Sequence, residues 1–253
     1  MGSLERKKYN FKFWSRFYLI FSIFLLFLIF VINFLIVKNH NNHSELDKKN
    51  DEINQAITNF KETSDYLTNQ VRFFVIKKDR IYMDAFCYEV YIFRRRESFK
   101  YIILKNNDDA VLYENFNLAY EKSKELNKME FYIIKLTCEA LNITEEIPDF
   151  IQKVELTEED KNLSSSEKLT KAQELVFSDE YSSLKNDIRK YISISHAASV
   201  NFFTERENNS ISKLNMLFVI NAILFFALIL EIFLFSIFLA IVYNETEKNN
   251  KNS

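Results

Sequence analysis

The chain has 253 residues, a formal net charge of −2, a hydrophobic content of 48%, one glycine and one proline. Because hairpins, bulges and the loops of α/β folds rely on glycine, this composition predicts an all-α protein. It also excludes the glycine-dependent motifs that bind nucleotides or present a hydrolase nucleophile, and the near-neutral charge gives no reason to expect nucleic acid as a partner.

The first predicted element is a transmembrane helix over residues 17–37, which carry no charged side chain. At about 1.5 Å per residue this stretch forms roughly 32 Å of helix, which matches the hydrocarbon core of a bilayer. The basic residues of the preceding tail, 1–16, favour a cytoplasmic N-terminus. A cleaved signal peptide is the alternative, but the apolar run is long for one and no small-residue cleavage site follows it.

A second transmembrane helix is predicted over residues 214–243, where 216–242 are mostly apolar and carry one charged side chain, Glu231. Two spans return the chain to the side on which it began. We therefore expect a two-pass protein of the plasma membrane with both termini in the cytoplasm. Residues 38–213 are then an extracytoplasmic domain, and residues 244–253 are a short cytoplasmic tail.

The extracytoplasmic domain begins with a heptad pattern, which predicts a bundle helix that is almost continuous with the first span. Its inward positions alternate by four and three residues: Ile53, Ile57, Phe60, Ser64, Leu67, Val71 and Phe74. A break is expected at Lys77-Lys78-Asp79. A second helix is predicted over 80–105, with Tyr82, Phe86, Val90 and Phe93 buried, and a third over 109–141.

An irregular stretch over 142–166 separates these helices from the last one. Ser164 and Glu167 have the spacing of a capping box and predict a short helix that ends near Phe177. The last helix is predicted to start near Asp179 and to bury a second heptad row: Tyr181, Leu184, Ile188, Tyr191, Ser195, Ala198 and Phe202. The pattern predicts an up-down four-helix bundle flanked by two transmembrane helices.

Short sequence motifs within residues 65–104 resemble a known kind of sensor region. They are Asp65-Tyr66-Leu67-Thr68 followed by Arg72, Tyr82-Met83-Asp84-Ala85, Glu89-Val90 and Arg95-Arg96-Glu97. Together with residues 154–177 they resemble the extracytoplasmic sensor region of bacterial diguanylate cyclases and chemotaxis receptors. The resemblance implies a ligand-responsive helical bundle that signals through its spans. In those families a cytoplasmic output domain follows the second span, whereas only residues 244–253 follow here.

Six charged or aromatic side chains on the first two predicted bundle helices are candidates for ligand binding. Guanidinium groups beside tyrosines can hold the carboxylate or phosphate of a small anionic ligand. Structural ion pairs between the helices are the alternative reading of the same residues. The candidates are Asp65, Tyr66, Arg72, Glu89, Arg95 and Arg96.

The carboxyl group of Glu231 is predicted to make a polar contact inside the membrane, because an isolated carboxylate there is costly. Its candidate partners are Asn33, Asn221 or a second copy of the chain. The alternative is a neutral acid that adds modestly to helix association.

Other chemistry-bearing residues predict no catalytic, metal or cofactor site. Cys87 and Cys138 are expected to be buried free thiols rather than a disulfide. His40 and His43 have no third metal ligand nearby, and no nucleophile–base set is visible, so the chain is not expected to be an enzyme.

The pattern as a whole predicts a membrane-bound extracytoplasmic sensor that transmits binding of a ligand or partner through its transmembrane helices. Its output would pass to a separate cytoplasmic signalling partner, or the chain would be a truncated receptor. Homodimerisation is compatible with the heptad rows. The alternative is a membrane-anchored structural or assembly protein whose bundle docks another envelope protein.

Overall fold

The computed structural model describes residues 3–106 and 109–251, and this part of the chain is helical without a β-strand. The all-α class predicted from the scarcity of glycine is therefore confirmed. In chain order the elements are α1 (Ser3–Lys77), α2 (Arg80–Cys87), a π-helix (Tyr88–Phe93), α3 (Arg95–Asn106), α4 (Ala110–Ala140), α5 (Asp149–Gln152), α6 (Glu158–Lys161), α7 (Ser165–Val176) and α8 (Asp179–Lys251).

The chain divides into two compact units, and the two longest helices contribute residues to both. The first unit holds the described residues up to Leu46 and those from Glu205 onward. The second unit is Asp47–Thr204.

The first unit is an antiparallel pair of apolar helix segments from α1 and α8. Both helices are long and apolar enough to cross a membrane by length and composition. Ser22 contacts Glu231 and Asn33 contacts Asn221, so rising residue numbers on α1 meet falling numbers on α8. The ring centroids of Tyr18 and Phe235 lie 5.0 Å apart in the same register.

The core of the second unit contains the whole heptad row that was predicted for the first bundle helix. All seven positions from Ile53 to Phe74 are buried, and the serine at position 64 is buried with them. Phe60 meets Phe116 of α4 with ring centroids 4.9 Å apart. The 4,3 spacing holds because side chains at those steps share one face of a helix.

The prediction of one continuous helix over 80–105 is wrong, because the π-helix interrupts it. The Arg94 N–H donates to the Glu89 carbonyl at 2.8 Å, and Arg94 then adopts a left-handed conformation with φ of 49°. A π-helical turn contains more residues than an α-helical turn and rotates the buried face. Of the predicted row only Phe86 is buried; Phe93 is 62% exposed, and Glu89 is buried instead.

The last predicted row is correct at alternate positions and wrong at the others. Tyr181, Ile188 and Ser195 are buried, but Lys185 is buried where Leu184 was expected. Lys185 can occupy the interior because its ammonium group donates to the Asp65 carboxylate. The remaining shifts follow the same one-residue rotation: Ile192, Ser199 and Phe203 replace Tyr191, Ala198 and Phe202 as the buried residues.

Helix ends and turns are formed without glycine. The predicted capping box is confirmed, with Ser164 and Glu167 satisfying each other's backbone N–H groups at the start of α7. Arg94 and Asn142 each adopt a positive φ after a helix. A non-glycine residue in this conformation costs about 1–2 kcal/mol, so the surrounding packing has to hold these turns.

We expect Phe60→Ala to lower the free energy of unfolding of the second unit by about 3–5 kcal/mol, because it removes a buried aromatic ring and leaves a cavity in the core. The measurement is urea-dependent labelling of the buried Cys138 thiol in the full chain in detergent micelles. Phe93→Ala is the matched control: Phe93 is mostly exposed, so its loss should change the unfolding free energy by no more than about 0.5 kcal/mol. Equal effects of the two substitutions would contradict this core.

Candidate functional site

The six predicted ligand residues all lie in the second unit, and the structure gives each of them a place there. It distributes them over an ion cluster at Asp65, an ion pair between Glu89 and Arg95, a cation–π stack at Arg72 and a buried guanidinium at Arg96. Each has partners in the described part of the chain.

Asp65 of α1 binds two cations of α8 through one carboxylate oxygen. Its Oδ1 atom accepts from Lys185 Nζ at 2.8 Å and from Arg189 Nη2 at 3.2 Å. Burial alone would raise the pKa of Asp65, but the hydrogen bonds and charges of Lys185 and Arg189 hold it below its usual value. These contacts connect the two longest helices within the second unit.

Glu89 and Arg95 form an ion pair that closes the π-helix. Arg95 Nε donates to Glu89 Oε2 at 2.6 Å, and the Arg95 backbone N–H donates to Glu89 Oε1 at 3.2 Å. The Arg95 guanidinium also lies 5.7 Å from the ring centroid of Tyr66. Charge-assisted bonds of this kind fix the geometry of the left-handed turn at Arg94.

Arg72 of α1 stacks against two aromatic rings. Its guanidinium carbon lies 5.4 Å from the Phe177 ring centroid and 5.6 Å from that of Tyr181. The Arg72 Nε atom is buried without a hydrogen-bond partner among the described residues. Ring faces attract this cation and compensate for part of the missing hydrogen bond.

A buried acid that the sequence analysis missed lies at the centre of the second unit. Glu130 of α4 is 1% exposed, and its Oε1 accepts from Tyr181 Oη at 2.9 Å and from Thr68 Oγ1 at 3.4 Å. Burial raises the pKa of Glu130 to about 7, although the charge of Arg96 opposes that shift. Burial likewise lowers the pKa of Arg96 and raises that of Tyr181.

Helical spacing was a usable signal for Glu130. It lies four residues after Leu126 and three before Ile133, so the three share one face of the helix, and both apolar residues are buried. A charged residue on an apolar helix face is usually paired when it is buried.

Three of the concave surfaces of the second unit have the size of small-molecule sites, which is roughly 300–1,000 Å³. One of about 680 Å³ lies beside α4 and α8 and has charged residues on its walls, among them Lys122, Lys128 and Asp187. A groove of about 610 Å³ lies between α1 and α8, with Lys61, Asp65, Arg189 and His196 on its walls. A pocket of about 400 Å³ lies beside the π-helix and has an aromatic and charged lining: Arg80, Asp84, Cys87, Tyr88, Tyr91, Ile92, Glu146, Pro148 and Phe150.

The residues predicted to make a polar contact inside the membrane do not meet at one place. The Ser22 hydroxyl donates to the Glu231 carboxyl group, with Oγ 2.7 Å from Oε2, and Glu231 is buried between the helices. Asn33 Nδ2 donates to Asn221 Oδ1 at 3.4 Å. The antiparallel register explains why Glu231 does not meet the asparagines that were predicted as its partners: it places Ser22 opposite Glu231.

Both cysteines are free and buried. Cys138 Sγ lies 3.3 Å from the Met83 sulfur. Burial raises the pKa of each thiol to about 12. Since thiolate is the reactive form, neither cysteine is expected to react while the second unit stays folded.

Comparison with known proteins adds no assignment. No protein-family model, curated protein or solved structure matches the chain.

We predict that the stability of the second unit depends on pH through Glu130. The folded pKa of about 7 lies above the ordinary value of 4.5, so the protonated acid favours the folded state. This contribution is fully present below about pH 4.5 and is lost as the pH rises through about 7, with a total change of about 3 kcal/mol. The measurement is urea unfolding of the full chain in micelles, followed by far-ultraviolet circular dichroism across that range.

Glu130→Gln keeps an acceptor for Tyr181 and cannot ionise, so it should remove this slope. Glu125→Gln, on the same helix but in an exposed ion pair with Lys122, should retain the slope of the unmodified chain. An unchanged slope in Glu130→Gln would show that Glu130 does not titrate in this range.

Proposed function

We propose that the chain is a membrane-bound extracytoplasmic sensor module that passes the binding of a ligand or partner through its two transmembrane helices. The observation that carries the proposal is that α1 and α8 each contain an apolar membrane-length segment and also residues of the polar second unit. In the second unit the same two helices are joined by the Asp65 ion cluster. The predicted resemblance to bacterial sensor regions supports the same reading.

The proposed topology has two spans, both termini in the cytoplasm and residues 38–213 outside. The apolar segments run antiparallel, and this supports the topology. In an antiparallel pair the start of the first span and the end of the second span lie on the same side of the membrane. The five cations of the N-terminal tail favour the cytoplasm for that side. Residues 38–213 would form an up-down bundle of four helical columns: α1; α2 with the π-helix and α3; α4; and α8.

Contacts between those columns support the bundle. Thr68 of α1 contacts Glu130 of α4, and Tyr181 of α8 contacts the same carboxylate. Phe86 of α2 meets Phe131 of α4 with ring centroids 6.0 Å apart. A ligand can shift such a bundle only when it binds two arrangements of the helices with unequal affinity.

The topology is tested with single cysteines at exposed positions. A membrane-impermeant maleimide should label Lys128→Cys in intact cells, whereas Lys248→Cys should react only after permeabilisation. The native thiols should not react with the maleimide, because they are buried and their pKa is about 12. Labelling of Lys248→Cys in intact cells would overturn the proposed orientation.

Transmission is tested by disulfide crosslinking of Tyr18→Cys with Phe235→Cys, whose native rings are 5.0 Å apart. We expect Asp65→Lys to change the initial crosslinking rate by at least about twofold, since a bias of ~0.4 kcal/mol is enough for that. Three glycines inserted after Ser210 should abolish the effect, because a flexible segment cannot transmit a small slide or rotation.

Lys128→Glu is the matched charge-reversal control and should leave the crosslinking rate unchanged. Protection of Cys138 from labelling checks that the second unit of each variant is folded. A folded Asp65→Lys variant with an unchanged rate would contradict transmission through the helices.

A second function, docking of another envelope protein, is favoured by one surface. The π-helix exposes four adjacent large side chains, Tyr88, Tyr91, Ile92 and Phe93. Clustered exposed aromatic residues are typical of interaction surfaces. Docking needs no conformational output, so an unchanged crosslinking rate in the folded Asp65→Lys variant would favour this function over sensing.

A further inference from the structure

The pocket of about 400 Å³ beside the π-helix has an aromatic wall. Asp84, Tyr88 and Tyr91 follow one another at helical steps of four and three residues, and all three line the pocket. Phe150 of α5 stacks on Tyr91, with ring centroids 5.7 Å apart and an angle of 19° between the ring planes. This stacking joins the π-helix to α5 and fixes the orientation of the Tyr91 ring.

The two tyrosines of this wall are accessible to a ligand. Tyr88 is 58% exposed and Tyr91 is 67% exposed, and neither hydroxyl group makes a hydrogen bond with a residue in the described ranges. The face of an aromatic ring carries partial negative charge and attracts a cation. Exposed rings around a concave surface therefore favour a positively charged ligand.

Negative charge also exceeds positive charge at this pocket. Two carboxylates, Asp84 and Glu146, face one guanidinium, Arg80, which leaves one negative charge in surplus. Arg80 lies 2.9 Å from Glu146 but 3.4 Å from Asp84, whose side chain is 40% exposed. The Asp84 carboxylate is therefore bound weakly by Arg80 and can accept a second cation.

From this geometry we infer that the pocket binds a small quaternary ammonium cation, with its methyl groups on the rings of Tyr88 and Tyr91 and its charge near Asp84. Such a cation fits this lining better than a primary ammonium or a metal ion, because its apolar surface needs no hydrogen-bond acceptors. The inference names the ligand class of the sensing role proposed above and rests on that role for its biological meaning.

A ligand on this wall is connected to the two long helices through α4. Phe150 meets Phe131 of α4 with ring centroids 5.1 Å apart. Glu130, the neighbour of Phe131 in the chain, accepts hydrogen bonds from Thr68 of α1 and Tyr181 of α8. A shift of Phe150 on binding would therefore reach both helices.

The test is isothermal titration of the full chain with choline, in nanodiscs of phosphatidylethanolamine and phosphatidylglycerol at constant ionic strength. We expect saturable choline binding. Ethanolamine, and the neutral isostere of choline in which a tert-butyl group replaces the trimethylammonium group, should each bind at least about tenfold more weakly. Equal binding of the neutral isostere would overturn the cation, and equal binding of ethanolamine would overturn the quaternary group.

Tyr88→Leu removes one ring and keeps apolar bulk, so it should weaken choline binding at least about fivefold. Tyr101→Leu is the matched control: Tyr101 is 65% exposed on α3 and lies outside the pocket, so this variant should bind choline like the unmodified chain. Absence of saturable choline binding, or unchanged affinity in Tyr88→Leu, would overturn the site.

Asp84→Asn removes one negative charge, while Arg80 keeps Glu146 as a partner. It should weaken choline binding at least about threefold. Glu125→Gln, which neutralises a carboxylate in the ion pair with Lys122, should not change the affinity. Protection of Cys138 from labelling checks that each variant is folded. Unchanged affinity in a folded Asp84→Asn variant would overturn the role of this carboxylate.

Lipid headgroups can carry the same quaternary ammonium chemistry, so the titration is repeated in phosphatidylcholine nanodiscs. Unchanged choline affinity there supports a free ligand. Weaker apparent affinity would show that the headgroup competes for the pocket and would overturn a free ligand as its occupant.

The crosslinking assay separates failure of this site from failure of the sensing role. Choline binding without any change in Tyr18→Cys and Phe235→Cys crosslinking supports the site and overturns transmission from it. Altered crosslinking in Asp65→Lys without choline binding to the unmodified chain overturns the site and leaves transmission supported.

Discussion

The second unit depends on one requirement, that the acid and the ammonium group buried between its helices have partners there. An unpaired charge in a low-dielectric interior is far more costly than a missing apolar contact. Glu130 meets it with the hydroxyls of Tyr181 and Thr68, and Lys185 meets it with Asp65. Because each of these contacts joins different helices, together they select the one alignment of the helices in which all of them can form. Apolar packing alone would tolerate several registers.

The sequence predicted the buried positions and helix ends that depend on regular spacing within one helix. It failed at positions whose burial depends on a contact with a residue distant in the chain. The α1 core row, the start of α4 and the capping box of α7 are local patterns, and they are correct. The burial of Lys185 instead of Leu184 depends on Asp65, which lies far away in the chain. No local signal marks the π-helix, whose extra residue is held by the bond between Glu89 and Arg95.

The same distinction applies to the candidate sites. Residue types identified Asp65, Arg95 and Glu231 as polar groups in need of partners, and the structure supplies Lys185, Glu89 and Ser22. Which pairs form depends on how two helix segments that are distant in the chain pack against each other. That packing cannot be read from a single sequence. The groove between α1 and α8 is a further case, since its two walls lie more than a hundred residues apart along the chain.

The turns formed without glycine have a consequence for the unfolded chain. Glycine broadens the denatured ensemble more than any other residue, and its replacement narrows that ensemble. A protein with one glycine in 253 residues therefore loses less backbone entropy on folding than a chain of ordinary composition. Left-handed residues such as Arg94 and Asn142 are the local strain that accompanies this gain. Part of the stability of the chain therefore comes from the lower conformational entropy of its unfolded state.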